Sequence, residues 1–160
     1  MAYNNYNGNR GNNYSGSDRR QSSYQSNQKP AVVQILPEII PEDYVDQAEK
    51  VIAAMQNQRS VITTSKIRNL LSLVSEIYNV EKLRTEKELC ADSVAKVGMM
   101  RVRTAYEAGR DAPTKSFIEA AKLLQYQKGI GKDREALIRF AHYMEALVAY
   151  HHFYIGGKEV

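Results

Sequence analysis

The chain has 160 residues, enough for one domain, and its 43% hydrophobic content suffices for a core once the polar N-terminal part is set aside. A single cysteine, Cys90, excludes an internal disulfide framework. No apolar run approaches the length of about 18 residues that a membrane span needs, and the N-terminus has no apolar signal region, so we expect a cytoplasmic protein.

The net charge of +4 is unevenly distributed. Residues 1–30 carry four basic side chains and one acidic side chain, which leaves the other 130 residues close to neutral. Any attraction of the folded part to a polyanion must therefore come from local patches of charge.

Residues 1–30 consist largely of Asn, Ser, Gly, Gln and Tyr. Such a segment buries too little apolar surface to offset the ordering of its backbone, which costs roughly 1–2 kcal/mol per residue. We predict a disordered tail over 1–30 and a single all-α domain over 31–160, a compact bundle of about five helices. The tail's tyrosines, interleaved with arginines, suit stacking on unpaired bases. A solubilising tail without a fixed partner fits the composition equally well.

The bundle begins with an extended approach, because Pro37 blocks a helix between Pro30 and Pro41. The first helix is predicted to open at Pro41 or Glu42 and to end near residues 56–60. Its apolar positions recur at helical spacing.

A second helix is predicted after the cap at 63–65, with an apolar stripe that begins at Ile67. Lys66 and Arg68 lie in its first turn. A helix start with free N–H groups and two cations suits a phosphate. Two solvated side chains on an exposed face explain the same residues.

The pattern continues from Glu81, with a possible break at 79–80, into a long helical segment that ends at Gly109. We expect its buried stripe to contain the residues Ala91, Ala95, Gly98, Met99, Val102, Ala105 and Tyr106. Lys96, Arg103 and Arg110 recur every seven residues along one flank, and Arg101 lies on the other. Only Glu107 interrupts this flank, and a basic row without acidic partners at i+4 favours a phosphate track over intrahelical ion pairs.

After a break at 111–114, a shorter helix is predicted over roughly 115–127. The turn at 128–133 brings Lys128 and Lys132 together and resembles part of a P-loop, but it lacks the preceding strand and the Lys–Ser/Thr pair that a P-loop requires. The last helix, from Asp133 to Tyr154, has the widest apolar stripe and is predicted to organise the core.

No catalytic constellation is present in the sequence. The histidines (His142, His151, His152) lack carboxylates at metal-ligand spacing, and Cys90 has no signature of a nucleophile. We therefore expect no enzyme activity, no metal and no cofactor.

Three strings together resemble the small helical subunit of type III-A CRISPR interference complexes, the Csm group. They are TTSKIRNLLSLVSEIYN at 63–79, RTAYEAGR at 103–110 and FAHYMEALVAYHHFYIGGK at 140–158. The resemblance covers about residues 41–158 and excludes the N-terminal tail. It implies an all-α, non-catalytic protein that stacks in several copies as an inner filament beside the backbone subunits that hold the guide RNA. RNA cleavage is expected of the backbone subunits, and DNA cleavage and cyclic oligoadenylate synthesis of the large subunit.

This resemblance makes phosphates and riboses of the guide–target RNA the expected contacts, since base pairing reads the sequence. The expected RNA-binding residues are Lys66, Arg68, Lys96, Arg101, Arg103, Arg110, Lys128 and Lys132. We expect about half of them to be engaged instead by acids such as Glu76, Glu107 or Glu119. Faces for stacking are predicted on the Tyr143, Tyr150 and Tyr154 side of the last helix and on the small-residue ridge at 91–98, although both also fit a core. The alternatives are an adaptor that binds only proteins and a single-strand binder driven by the tail.

Overall fold

The computed structural model describes residues 34–156, which belong to one compact unit of six helices. The predicted tail over 1–30 lies outside these residues, and the division of the chain into a tail and a single domain stays a prediction. The helices are α1 (Tyr44–Met55), α2 (Thr64–Glu81), α3 (Ala91–Arg110), α4 (Ala112–Ala120), α5 (Leu123–Ile130) and α6 (Arg134–Tyr154). Residues 34–156 form no strand beyond an isolated bridge between Glu88 and Asp133, which confirms the all-α prediction.

Helix α6 is the central element, and it packs against α1, α2 and α5. The Asp133 carboxylate caps its start by accepting the backbone N–H groups of Glu135 and Ala136 at 2.8 and 3.2 Å. The side chains that it buries in the core lie on one face: Leu137, Phe140, Ala141, Tyr143, Met144, Leu147 and His151. The predicted helix and most of its stripe are confirmed.

The possible break predicted at 79–80 lies close to the end of α2 at Glu81, but the helical segment expected from Glu81 onward begins only at Ala91. Residues 82–90 form a connection that crosses to the α5–α6 turn, where Leu89 N–H donates to the Lys132 carbonyl at 2.9 Å and Arg134 N–H donates to the Lys87 carbonyl at 3.0 Å. The side chain of Glu81 is fully buried at this junction. Residues 82–90 contain neither Gly nor Pro, the usual helix breakers. The long-range backbone bonds hold this segment in a non-helical conformation instead.

The predicted buried stripe of α3 is wrong, because the helix buries its opposite face. Ser93, Val97, Met100 and Thr104 are buried, whereas Met99, Val102 and Tyr106 are between 53% and 66% exposed. The polar members of the buried face find local partners: the Thr104 hydroxyl donates to the Met100 carbonyl at 2.9 Å. An apolar stripe with no partner among residues 34–156 therefore faces outward.

The predicted helix over 115–127 is two helices, α4 and α5. Between them Lys122 adopts the left-handed conformation (φ 52°), and its ammonium group pairs with Glu38 at 2.8 Å. The extended segment 34–41 runs over α5, where Glu38 N–H donates to the Gln125 carbonyl at 3.1 Å. The first helix starts at Tyr44, two or three residues later than predicted. None of the helices between residues 34 and 156 combines the length and the apolarity needed to cross a bilayer.

Candidate nucleic-acid interface

The eight predicted basic residues are all at least partly exposed, but they divide into two sets by what their side chains contact. Four of them are held by other groups of the protein: Lys66, Lys96, Arg110 and Lys128. The side chains of the other four make no ion pair or hydrogen bond with any residue from 34 to 156: Arg68, Arg101, Arg103 and Lys132.

Lys66 joins the start of α2 to the start of α4. Its ammonium group forms an ion pair with the Asp111 carboxylate, which also accepts the Thr114 backbone N–H at 2.8 Å and so caps α4. The hydrogen bonds from Lys66 and then Thr114 lower the pKa of Asp111 to about 2. The Thr63 hydroxyl accepts the Lys66 backbone N–H at 3.4 Å. The predicted phosphate site at this helix start therefore has its lysine occupied by a carboxylate.

Lys96 and Arg110 are also paired, each with an acid about one turn before it on α3, whereas the prediction of a phosphate track considered only partners at i+4. Lys96 contacts Asp92 on the preceding turn at 3.1 Å and Glu76 of α2 at 3.3 Å, and these hydrogen bonds raise its pKa. Arg110 contacts Glu107 at 3.3 Å and lies 5.7 Å from the centroid of the Tyr106 ring. Two of the acids expected as partners, Glu76 and Glu107, do pair with predicted residues.

The remaining expected acid, Glu119, pairs instead with Lys115 on its own helix, at 3.9 Å. Lys128 has a different role, since its ammonium group donates to the Ile35 carbonyl at 2.7 Å and helps hold the extended segment on α5.

The four unpaired cations do not form one row. Arg101 and Arg103 are two residues apart on α3 and therefore point to different sides of the helix. Arg68 is exposed on α2, and Lys132 lies in the turn before α6, beside an open concavity of about 690 Å³ that Glu86, Glu88 and Glu135 also line. The structure thus offers several separate positive positions.

Arg103 lies in a cleft between α2 and α3, which we name the α2–α3 cleft. Its cavity volume is about 300 Å³, and it is lined by Lys66, Asn69, Leu70, Leu73, Arg103, Tyr106, Glu107 and Thr114. Sequence reasoning selected the two cations but missed Asn69 and placed Tyr106 in the core. A signal was present, because Tyr106 lies between Arg103 and Arg110 at helical spacing.

The predicted aromatic face on α6 is only partly exposed. Tyr143 belongs to the core, where its hydroxyl donates to the Ala121 carbonyl at 3.0 Å and burial raises the pKa of the phenol. Tyr150 and Tyr154 stack at 6.3 Å between ring centroids, and Phe153, 78% exposed, meets Tyr154 edge to face. We name Tyr150, Phe153 and Tyr154 the aromatic end of α6.

His151 and His142 make contacts with other helices or loops of the bundle. His151 is fully buried, and its Nε2 donates to the Ile62 carbonyl at 2.7 Å, because a carbonyl oxygen only accepts. His142 packs edge to face on Tyr78. Among residues 34–156, no group of three or more His, Cys, Asp or Glu side chains is placed to hold a metal ion.

Comparisons with known proteins agree with the resemblance seen in the sequence. The family model described as Csm2 Type III-A matches residues 40–157. The CRISPR system Cms protein Csm2 of Streptococcus thermophilus is 47% identical over 121 residues, which cover 74% of this chain and 95% of that protein. The protein of the same name from Mycobacterium tuberculosis is 40% identical over 114 residues, covering 70% of this chain and 91% of that one.

Proposed function

Because the chain belongs to the Csm2 type III-A family, we propose that it acts as a non-catalytic small subunit of a type III-A CRISPR effector complex in antiviral defence. The observation that carries this proposal is the extent of the match. The family model spans residues 40–157 and so includes all six helices. Its proposed partners are guide RNA, target RNA, the backbone and large subunits, and further copies of itself.

In this role the subunit contacts the backbone of the guide–target RNA without reading its sequence. The unpaired cations Arg68, Arg101, Arg103 and Lys132 are the first candidates for these contacts, since a phosphate does not have to displace a carboxylate from them. Lys66, Lys96 and Arg110 become secondary candidates, because a phosphate must compete there with Asp111, Glu76 or Glu107.

Stacking in several copies requires two complementary, non-identical faces, since a head-to-tail interface propagates where a two-fold interface closes. Two exposed features of the structure suit this requirement. One is the aromatic end of α6, and the other is the ridge on α3 formed by Ala91, Ala95 and Gly98, whose small side chains allow a close approach. We propose that these faces meet between successive copies.

Co-expression with the other complex subunits and a guide array tests the proposal. We expect the tagged protein to copurify with a discrete RNA and, by native mass spectrometry, in more than one copy per complex. Phe153→Ser is expected to lower the copy number, whereas Leu83→Ser, which removes an equally exposed side chain elsewhere, is the matched control.

The alternatives make different predictions for the same preparation. An adaptor that binds only proteins copurifies without RNA. A binder driven by its tail loses its RNA when residues 1–30 are deleted, whereas the proposed subunit still assembles after that deletion. Recovery of the protein alone, without other subunits or a discrete RNA, overturns the proposal.

A further inference from the structure

The α2–α3 cleft is a concavity lined by both apolar and polar side chains. Asn69 and Leu73 of α2 form one wall, Arg103 and Tyr106 of α3 form the other, and Leu70 lies at its base. Its volume of about 300 Å³ is at the lower end of the range for small-molecule pockets. The cleft therefore has room for a single ring system between the two helices.

Two exposed polar side chains in this cleft have no side-chain hydrogen bond with any residue from 34 to 156: the Asn69 amide and the Arg103 guanidinium. Thr114, only 1% exposed, also lines the cleft, and its side chain interacts with the Asp111 carboxylate, whose pKa it helps to lower. The cleft therefore presents an amide and a guanidinium that are open to a ligand.

The aromatic and charged groups at the rim define the chemistry of the ligand. Tyr106 is 66% exposed, and Arg110 lies over its ring. The two acids nearby, Glu107 and Asp111, are already neutralised by Arg110 and Lys66, so Arg103 leaves the rim positive. An exposed phenol, an amide and an unpaired guanidinium match the flat face, the polar edge and the phosphate of a nucleotide.

We propose that the α2–α3 cleft binds one unstacked nucleobase of an RNA strand. Tyr106 stacks on the base, the Asn69 amide hydrogen-bonds to its edge, and Arg103 contacts the adjoining phosphate. The inference rests on the RNA contact proposed above but adds a base contact to it. It does not depend on stacking between copies, because all the groups belong to one chain.

Fluorescence anisotropy with the full chain tests this site directly. The probes are a short single-stranded oligoadenylate and the matched oligomer of ribosyl phosphates without bases. Base stacking on an aromatic side chain makes binding about 5- to 150-fold tighter, so we expect the abasic oligomer to bind more weakly by that factor. Tyr106→Ala is expected to weaken binding of the intact oligomer by a similar factor and to leave binding of the abasic oligomer unchanged.

Two further variants distinguish a stacked base from an apolar contact. Tyr106→Leu keeps an apolar side chain but removes the ring, and it is expected to bind as weakly as Tyr106→Ala. Met99→Ala removes an exposed apolar side chain two turns away that does not line the cleft, and it is expected to bind like the unmodified chain. The exposure of Tyr106 and Met99 makes these changes compatible with folding, which circular dichroism checks.

Each of the remaining outcomes overturns the base site, and one of them also overturns the proposed RNA contact. Equal affinity for the intact and abasic oligomers overturns the base site and leaves the proposed backbone contact standing. Full affinity in Tyr106→Leu assigns the cleft to an apolar partner and overturns the base site. The absence of affinity for either oligomer overturns the base site together with the proposed RNA contact.

Discussion

Glu81 accepts the backbone N–H of Cys90 on its Oε1 at 3.2 Å, and this bond joins the last residue of α2 to the residue that precedes α3. The same carboxylate is held by Arg84 at 2.9 Å. Burial raises the pKa of Glu81, but hydrogen bonds from Ser93, Cys90 and Arg84 outweigh burial and leave the pKa below its usual value. Glu81 therefore ties the end of α2 to the start of α3, the two helices that form the α2–α3 cleft.

Glu81→Ala is expected to destabilise the protein by about 3 kcal/mol, because it leaves Arg84 and the Cys90 N–H without their shared acceptor. Urea unfolding followed by circular dichroism measures this change. The matched control is Glu76→Ala on the same helix, whose exposed carboxylate contacts Lys96 and whose loss is expected to cost less than about 1 kcal/mol. Equal effects of the two substitutions would contradict the anchoring role of Glu81.

Most of the fold was predictable from helical periodicity, and α6 shows why. Its capping residue Asp133 and its buried stripe are both local signals, and the structure confirms them. The start of α3 at Ala91 was not predictable, because backbone groups at 87–89 bond to the distant α5–α6 turn and not within a helix. The local sequence contains no signal that predicts such a long-range bond.

The prediction of which face of α3 is buried was wrong for a different reason. Periodicity identifies an apolar stripe but does not say whether that stripe faces the protein's own core or a partner. Ser93 and Thr104 are polar and would be expected to face solvent, yet both are buried beside hydrogen-bond partners. Because the periodicity places Tyr106 in the interior, it does not predict that Tyr106 lies beside Arg103 in the α2–α3 cleft.

Gly129→Ala is expected to displace the extended segment from α5. A Cβ at this position would overlap the backbone carbonyl of Glu38, and backbone atoms yield less readily than a flexible side chain. Overpacking of this kind costs typically about 1–3 kcal/mol. Thermal unfolding measures the loss, and faster hydrogen exchange of the Glu38 amide, which donates to Gln125, localises it.

Gly98→Ala provides the control, because a Cβ there meets no atom within 4 Å and the residue lies inside α3. Alanine is favoured over glycine in a helix by up to about 1 kcal/mol, so this variant is expected to be slightly more stable. A Gly129→Ala protein as stable as the Gly98→Ala protein would show that segment 34–41 adjusts without cost.

The Asp111 carboxylate is expected to titrate near pH 2. Its hydrogen bonds from Lys66 and Thr114 favour the ionised form and lower its pKa from 3.8 to about 2. Because the folded-state pKa is the lower one, the stabilisation is complete above about pH 4 and is lost as the pH falls through 2. Carboxyl carbon NMR chemical shifts report the midpoint directly.

Lys66→Met removes the largest cause of this shift, so the Asp111 midpoint should move up towards 3.8. Lys115→Met is the matched control, since Lys115 pairs with Glu119 and not with Asp111. A wild-type midpoint close to 3.8 would show that the bond between Lys66 and Asp111 does not persist in solution.

The contrast between paired and unpaired cations gives the sharpest test of the proposed RNA contact. A residue that touches a phosphate releases counterions when RNA binds, and each such contact contributes about 0.7–0.9 to the slope of log K against log salt concentration. Arg101→Ala and Arg103→Ala are each expected to reduce the magnitude of that slope by this amount.

Lys96→Ala is the matched control on the same helix, because Glu76 and Asp92 already neutralise Lys96. Its removal is expected to leave the slope nearly unchanged. The measurement is a salt titration of binding to the assembled guide–target duplex, with each variant incorporated into the complex. A slope that falls equally in Lys96→Ala and Arg103→Ala would show that phosphates displace the carboxylate partners, so that pairing within the free chain does not select the residues that contact RNA.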